Sequence, residues 1–363
     1  MFEIIFLIML SGYFIQSVLF VIGAKKKHQR LDETDLPSVT VIVAARDEED
    51  NIQRCLDSLG KLEYPDNKLE VLIVDDRSTD KTGELIDNFV ANRDNFHKII
   101  PDEPIGKMVG KVNALATAIK NAKGEVILTT DADCTVKPTW AKNMASYFQA
   151  DVGMVDSYTT QKANSSFGGM QAIDFIYLLL VAGGTINLGV PISCIGNNMS
   201  FRKKAYDEIG GYETLPFSVT EDFTLLRAIY KLKKYKIIFP LDKDALVTSL
   251  PCPDFKSLFR QKKRWSIGGL GVPFRGFFIM FWGYLTSLCI VLTPIFYSPV
   301  WLYLIFFKIA IDLFVLLPIH QNLGITKNLK YFIVHQVYYI LYVLALPFIV
   351  FTNRKVVWKG RVY

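Results

Sequence analysis

Hydrophobic positions fall into two regimes along the chain: long unbroken apolar runs at the ends and short ones in the middle. Residues 2–23 are apolar except for Glu3, Ser11 and Gln16, a length that spans a bilayer. Three more runs of this kind close the chain, at about 277–297, 300–319 and 331–351. Between the ends, short apolar runs at 38–43, 69–74, 97–100, 125–130 and 152–158 read as strands. Stretches at 50–59, 81–92, 110–121 and 140–149 read as helices. Strands alternating with helices of this length predict an α/β domain built on a mostly parallel, doubly wound sheet. Segment 167–190 is apolar and glycine-rich, but Asp174, Gly183, Gly184 and Asn187 interrupt it and no basic flank follows. It is expected as a buried or interfacial helix rather than a span. Residues 254–267 read as a basic amphipathic helix, with Phe255, Leu258, Phe259 and Trp265 against charged neighbours.

The layout expected is a transmembrane helix at 1–24, a cytosolic domain at 37–253 and the amphipathic helix at 254–272. About three membrane segments at 273–353 and a basic tail at 354–363 follow. Charge supports this frame. Lys25, Lys26, Lys27 and Arg30 come after the first apolar run rather than before it. That order is not the one expected of a signal peptide and, by the positive-inside rule, is expected to put the following domain in the cytosol. The formal charge is +6, and the basic residues cluster beside apolar segments, which suits anionic lipid or bound phosphate and not nucleic acid. Five cysteines without paired spacing argue against a disulfide framework or a zinc site. Two features stay open at this level. Three spans after a cytosolic domain would put Arg354, Lys355, Lys359 and Arg361 outside, against the same charge rule, unless one segment is re-entrant or the first is a hairpin. Lys308 and Asp312 sit one turn apart inside an apolar run, which flags a functional pair.

The chemistry lies in carboxylates. Run 69–74 ends in Asp75-Asp76, run 125–130 ends in Asp131-Ala132-Asp133, and a helix to about 233 opens with Thr220-Glu221-Asp222, Thr220 at its N-cap. In open α/β sheets, ligands bind outside the carboxyl ends of the strands. Two acids on a turn there can grip one hard divalent cation, which in turn carries phosphates. Each motif also has a plainer reading: Asp is common in turns, acids suit helix N-termini, and Arg with Trp anchors interfaces. Neither G-x-G-x-x-G nor G-x-x-x-x-G-K-[ST] is present, so any phosphate must be held by metal and basic side chains.

In order and spacing, Asp75-Asp76, Asp131-x-Asp133, Thr220-Glu221-Asp222 and Gln261-x-x-Arg264-Trp265 resemble the inverting, membrane-bound family 2 glycosyltransferases of GT-A fold. That family includes cellulose, chitin-oligosaccharide and hyaluronan synthases and glycolipid-forming relatives. The likeness covers about residues 37–268. It implies transfer of a sugar from a nucleoside-diphosphate sugar, UDP-linked by default, to a lipid or growing glycan at the cell membrane. By the same likeness, Ala44, Ala45 and Glu48 lie beside the nucleoside, and Asp75 or Asp76 accepts from the base. Lys111 faces the donor, with Lys107 as a rival because Ala116 stands where the family often has Asn. Asp131 and Asp133 hold Mg²⁺ or Mn²⁺ against the diphosphate, and Gln261 and Arg264 contact the pyrophosphate. Glu221 and Trp265 fall on the acceptor side, and Asp222 is the general base that an inverting displacement requires.

Other readings were weighed on the same residues. Polyprenyl-phosphate sugar transferases resemble this chain but usually lack Q-x-x-R-W. A catalytically silent nucleotide-binding partner protein would be free to lose Asp131, Asp133, Asp222 or Arg264, and all four are present. A transporter would need more spans and an inverted repeat. A processive polysaccharide synthase threads its product through its own helices. Roughly four spans are few for that unless protomers associate, so the reading leans to a lipid acceptor.

Overall fold

The computed structural model describes residues 1–101, 108–272, 274–296, 298–352, 357–358 and 361–362. The rival Lys107 and the tail residues Arg354, Lys355 and Lys359 lie outside them. The chain forms two compact units, one of residues 27–160 and 194–250, the other of residues 1–26, 161–193 and 251–363. The single run expected over 37–253 is therefore interrupted: 161–193 groups with the terminal helices. In chain order the elements are α1 (Phe2–Ala24), β1 (Val39–Ala45), α2 (Ile52–Leu59), β2 (Leu69–Asp75), α3 (Thr82–Val90), β3 (Phe96–Ile99), α4 (Lys111–Asn121) and β4 (Val126–Asp131). Then come α5 (Trp140–Ser146), β5 (Val152–Asp156), β6 (Thr159–Gln161), α6 (Ser166–Asn187), β7 (Met199–Arg202), α7 (Lys203–Glu208), α8 (Glu221–Lys231), β8 (Lys236–Ile238) and β9 (Val247–Ser249). Next come α9 (Phe255–Gly268), α10 (Phe274–Leu292), α11 (Val300–Leu323) and α12 (Phe332–Thr352), followed by the short antiparallel pair β10 (Val357–Trp358) and β11 (Arg361–Val362).

The first unit is built on a seven-stranded sheet of order β3-β2-β1-β4-β7-β5-β8. All neighbours are parallel except β7, which runs antiparallel to β4 and β5. β1 and β2 are buried along almost their whole length, as strands covered on both faces must be. α2 shows why it folds: Ile52, Cys55, Leu56 and Leu59 are its buried residues, spaced three and four apart on one stripe. They join Val41, Val71 and Leu128 in one core. The strand expected over 152–158 stops at Asp156, because Asn198 takes over the next two backbone groups. Its carbonyl accepts from the Ser157 N–H at 3.0 Å, and its amide donates to the Tyr158 carbonyl at 2.6 Å.

The second unit is helical. Among the described residues, four of its segments are long and apolar enough to cross a membrane: α1, α6, α11 and Thr326–Ile349, while α10 contributes the shorter apolar stretch Gly276–Leu292. α6 is largely buried, as expected for 167–190. It packs on α1 through a glycine pair so close that a Cβ on Gly23 would stand 2.2 Å from the Gly184 carbonyl oxygen. The flagged pair Lys308 and Asp312 belongs to an interhelical network. Asp312 accepts from Lys308 at 2.7 Å and from the Tyr13 hydroxyl at 2.6 Å, and Lys308 also donates to Gln336 at 2.7 Å. The Tyr13 and Tyr177 hydroxyls lie 3.2 Å apart, so α1, α6, α11 and α12 share one polar lock.

Candidate active site

Strand register assembles the site. Ala45 pairs with Asp75 on β2 and Ala44 with Asp131 on β4, so three strand ends share one row. Chain order reverses there: β2 and β3 lie on one side of β1 and β4 on the other, which is the crevice where doubly wound sheets bind ligands. The loops after β1 and β2 are zipped together. Asp47 accepts from the Thr79 N–H at 2.8 Å, Asp80 from the Glu49 N–H at 3.0 Å, and the Thr82 hydroxyl from the Glu48 N–H at 2.8 Å. Asp47 and Arg77 hold left-handed backbone at φ 51° and 56°, a conformation non-glycine residues adopt only when the surroundings impose it. Asp75 accepts from the Ser78 N–H at 2.9 Å, and Arg46 lies 3.6 Å from the Asp76 carboxylate. The expected nucleoside side, Ala44, Ala45, Glu48, Asp75 and Asp76, is thus one locus.

Lys111 is the hub. Gly110 takes φ 60° and turns the chain so that Lys111 is the first residue of α4. Its ammonium donates to Asp131 Oδ1 at 2.6 Å and lies 3.3 Å from Glu221 Oε1. Burial alone would lower the lysine, but the Asp131 and Glu221 carboxylates more than offset it and hold it well above the usual lysine range. Asp133 is pushed up to about 6, by burial first and by the Asp131 charge second. At the start of α8, Thr220 occupies the N-cap position without a side-chain cap bond. Asp222 Oδ1 accepts instead from the Phe223 N–H at 2.8 Å. A cavity of about 180 Å³ lies beside this cluster, lined by Met108, Val112, Phe217 and Glu221 among others.

Two residues at this site escape sequence reading. Asp156 is fully buried at the end of β5, and neither carboxylate oxygen makes a hydrogen bond of standard geometry. Burial, and then the Asp222 charge, raise it well above the carboxylate range, opposed only weakly by the Ile195 backbone N–H. A charged residue ending an otherwise apolar strand was the signal available. Gly196 is the other: a Cβ there would stand 3.2 Å from Asp222 Cβ.

Gln261, Arg264 and Trp265 lie on α9 in the helical unit, apart in the chain from the carboxylates. Trp265 stacks on Phe175 of α6 with ring centroids 5.6 Å apart and planes 18° from parallel.

The Asp131 and Asp133 carboxylates are a hard, oxygen-only donor set of a kind that fits a divalent cation. Among the described residues no group of three or more His, Cys, Asp or Glu could hold a metal, so such an ion would take its remaining ligands from phosphate and water.

Comparison with known proteins bears on the family and the fold. The profile of glycosyl transferase family 2 matches residues 40–210, and that of glycosyl transferase family group 2 matches residues 126–351. The chain is 27% identical over 285 residues to the poly-beta-1,6-N-acetyl-D-glucosamine synthase of Staphylococcus epidermidis, covering 77% of this chain and 65% of that one. It is 29% identical over 257 residues to the beta-monoglucosyldiacylglycerol synthase of Nostoc sp., covering 69% and 53%. The chain therefore spans roughly half to two thirds of these relatives. A mannosyltransferase from Pyrobaculum calidifontis, solved with GDP-Man and Mn²⁺, shares the fold at TM-score 0.62 and 20% identity, over 93% of this chain and 99% of that one. With one profile matching well over half of its length, the chain belongs to the family 2 glycosyltransferases.

Proposed function

We propose that the chain is an integral-membrane, inverting glycosyltransferase that moves a sugar from a nucleoside-diphosphate sugar to a lipid or growing-glycan hydroxyl. UDP is the expected nucleotide. The observation that carries this reading is the Lys111 ammonium held between Asp131 and Glu221, which gathers the ends of β4, α4 and α8 at the crevice of the sheet. Direct displacement at an anomeric carbon needs an anchor for the nucleoside, positive charge for the departing diphosphate and a base for the acceptor proton. The zipped loops after β1 and β2 are the anchor. Asp131 and Asp133 would hold Mg²⁺ or Mn²⁺, which when bound neutralises charge on the leaving group. Lys111 adds a fixed ammonium beside them, and Gln261 and Arg264 are the proposed pyrophosphate contacts, Arg because its fork takes two oxygens.

The acceptor hydroxyl attacks the anomeric carbon while the bond to the diphosphate breaks. Its proton passes to Asp222, and the diphosphate leaves with the electron pair. Glu221 faces both Lys111 and the adjoining cavity, which suits an acceptor-side role. The relatives, a glucosyldiacylglycerol synthase and a poly-N-acetylglucosamine synthase, bracket the acceptor between a lipid and a polymer. Apolar walls at Met108, Val112 and Phe217 favour the lipid.

The test is a donor screen on the full-length protein in detergent. Nucleoside diphosphate release would be followed from UDP-Glc, UDP-GlcNAc and GDP-Man, with and without Mn²⁺, with membrane lipid extract as acceptor. Metal-dependent release stimulated by lipid is expected. The Asp222→Asn variant should lose it by on the order of 10²–10⁴ while still binding the nucleotide. No release and no metal-dependent nucleotide binding would reject the transferase reading in favour of a silent partner protein. Transfer by Asp222→Asn near the wild-type rate would reject Asp222 as the base.

A further inference from the structure

We propose that Asp174 and Lys262 are positioning residues: their buried ion pair sets the register of α9 on α6 and thereby the orientation of Gln261 and Arg264. The proposal rests on the reading above, in which those two side chains meet the donor's pyrophosphate.

One stripe of α6 carries the whole segment that leads into and along α9. Phe167, Gly168, Gln171, Asp174 and Phe175 recur three or four positions apart or adjacently, so they share a face. At its start, Gly168 lies under Pro251, with a Cβ there 3.3 Å from Pro251 Cγ. Gln171 then clamps the backbone of Cys252, accepting from its N–H at 2.9 Å and donating to its carbonyl at 3.1 Å. The Phe167 and Phe255 rings meet at 4.6 Å. Asp254 caps α9 by accepting from the Ser257 N–H at 2.7 Å. Further on, Lys262 is bonded to Asp174, with side chains 4% and 2% exposed. Phe175 and Trp265 complete the run.

Within α9 only Leu258 and Lys262 are buried. One apolar residue and flat ring contacts tolerate sliding, whereas a buried ammonium does not. Moving α9 by a turn would leave both Lys262 and Asp174 charged, buried and without each other, which strongly opposes the shift. The Lys262 ammonium is also lodged over the rings of Trp265, at 4.7 Å, and Tyr342 of α12, at 4.9 Å. Gln261 and Arg264 are three apart and flank Lys262, so fixing Lys262 and Trp265 inward fixes the direction of both. The lysine inside Gln261-Lys262-Lys263-Arg264-Trp265 thus has a task of its own.

The test uses the full chain in detergent and the paired variant Asp174→Leu/Lys262→Met, which removes both charges and so leaves neither orphaned. Three quantities are read: the melting temperature, hydrogen exchange over residues 255–268, and binding of UDP and of GDP with Mn²⁺. Arg264→Ala runs alongside. We expect near-wild-type melting, faster exchange confined to 255–268, and nucleotide affinity lowered on the order of tenfold to a hundredfold, as misplaced contact groups produce. Arg264→Ala should weaken binding similarly. If the paired variant keeps both wild-type exchange and affinity while Arg264→Ala weakens binding, the positioning role is overturned and the reading of Arg264 stands. If Arg264→Ala binds normally, the reading of α9 as a pyrophosphate contact is what fails, and the proposal falls with it.

Discussion

A methyl group at Gly196 would stand 3.2 Å from Asp222 Cβ and 3.3 Å from its Oδ2, with no flexible chain between to yield. Gly196→Ala should therefore move the carboxylate by a few tenths of an ångström without touching the nucleoside side of the crevice. The expected outcome is a fall in turnover of about tenfold or more with nucleotide binding unchanged, since small displacements of a reacting group cost rate before affinity. Equal losses in both would mean the whole loop had collapsed. Asp156 invites a different measurement. Burial, then Asp222, hold its carboxyl well above the carboxylate range. A folded-state value raised in this way leaves the acid protonated in the fold while the unfolded chain ionises above about pH 4. The resulting destabilisation grows as pH climbs from there and levels off above the folded value. Asp156→Asn keeps the shape and removes it. Its melting temperature should match wild type near about pH 4 and exceed it near about pH 8, by roughly 2–4 °C for each kcal/mol recovered. A variant less stable than wild type at the higher pH would mean that Asp156 is ionised and paired.

At the scale of elements, the polar lock can be separated from the chemistry. Asp312→Ala strands Lys308 among helices with Gln336 as its remaining hydrogen-bond partner, a loss of roughly 3–5 kcal/mol for a broken buried pair. It should fold poorly in detergent, whereas Lys308→Met/Asp312→Leu should recover both folding and transfer. A folded but inactive double variant would restore the functional reading of the pair. Strand ends were legible in the sequence because an apolar run that stops at a carboxylate marks both the element and its chemistry, as at Asp75 and Asp131. β8 and β9 have three residues each, too few for any period to register. Thr220 looked like a side-chain cap and is not one, because the Asp222 carboxylate bonds the adjacent Phe223 N–H instead. α6 hid its task, because it is buried on nearly every side and so carries no amphipathic stripe to read. The contacts that define it, Gly184 on Gly23 and Asp174 on Lys262, join residues far apart in the chain.

At the scale of the whole molecule, packing inside the helical unit decides how often the chain crosses a bilayer. α6 lies in the chain between β5 and β7, which are paired in one sheet, so a single crossing by α6 would put neighbouring strands on opposite sides. We propose that both ends of α6 lie on one side of the membrane, and its contacts within the helical unit agree. Its end meets Gly23, next to the basic cluster that closes α1. Its start meets Tyr331, in the turn between α11 and α12. The opposite face is marked by the start of α1, where Glu3 bonds Ser298 and Phe2 stacks on Phe296 at 4.7 Å, in the turn between α10 and α11. We propose a topology in which α1, α10, α11 and α12 all cross. α10, with 19 residues, reaches about 28 Å at 1.5 Å per residue, close to the ~30 Å hydrocarbon core. That topology would put the segment after residue 352 outside, although it carries Arg354, Lys355, Lys359 and Arg361. In that topology the charge rule would yield because the cluster after the first helix usually dominates orientation, and because Lys327 and Lys330 would join it on the cytosolic face. A cysteine at position 360, probed in intact cells with a membrane-impermeant maleimide, checks the arrangement. Labelling without permeabilisation is expected. Labelling only after permeabilisation would put the tail in the cytosol, and one of α10, α11 or α12 would then lie in the membrane without crossing it.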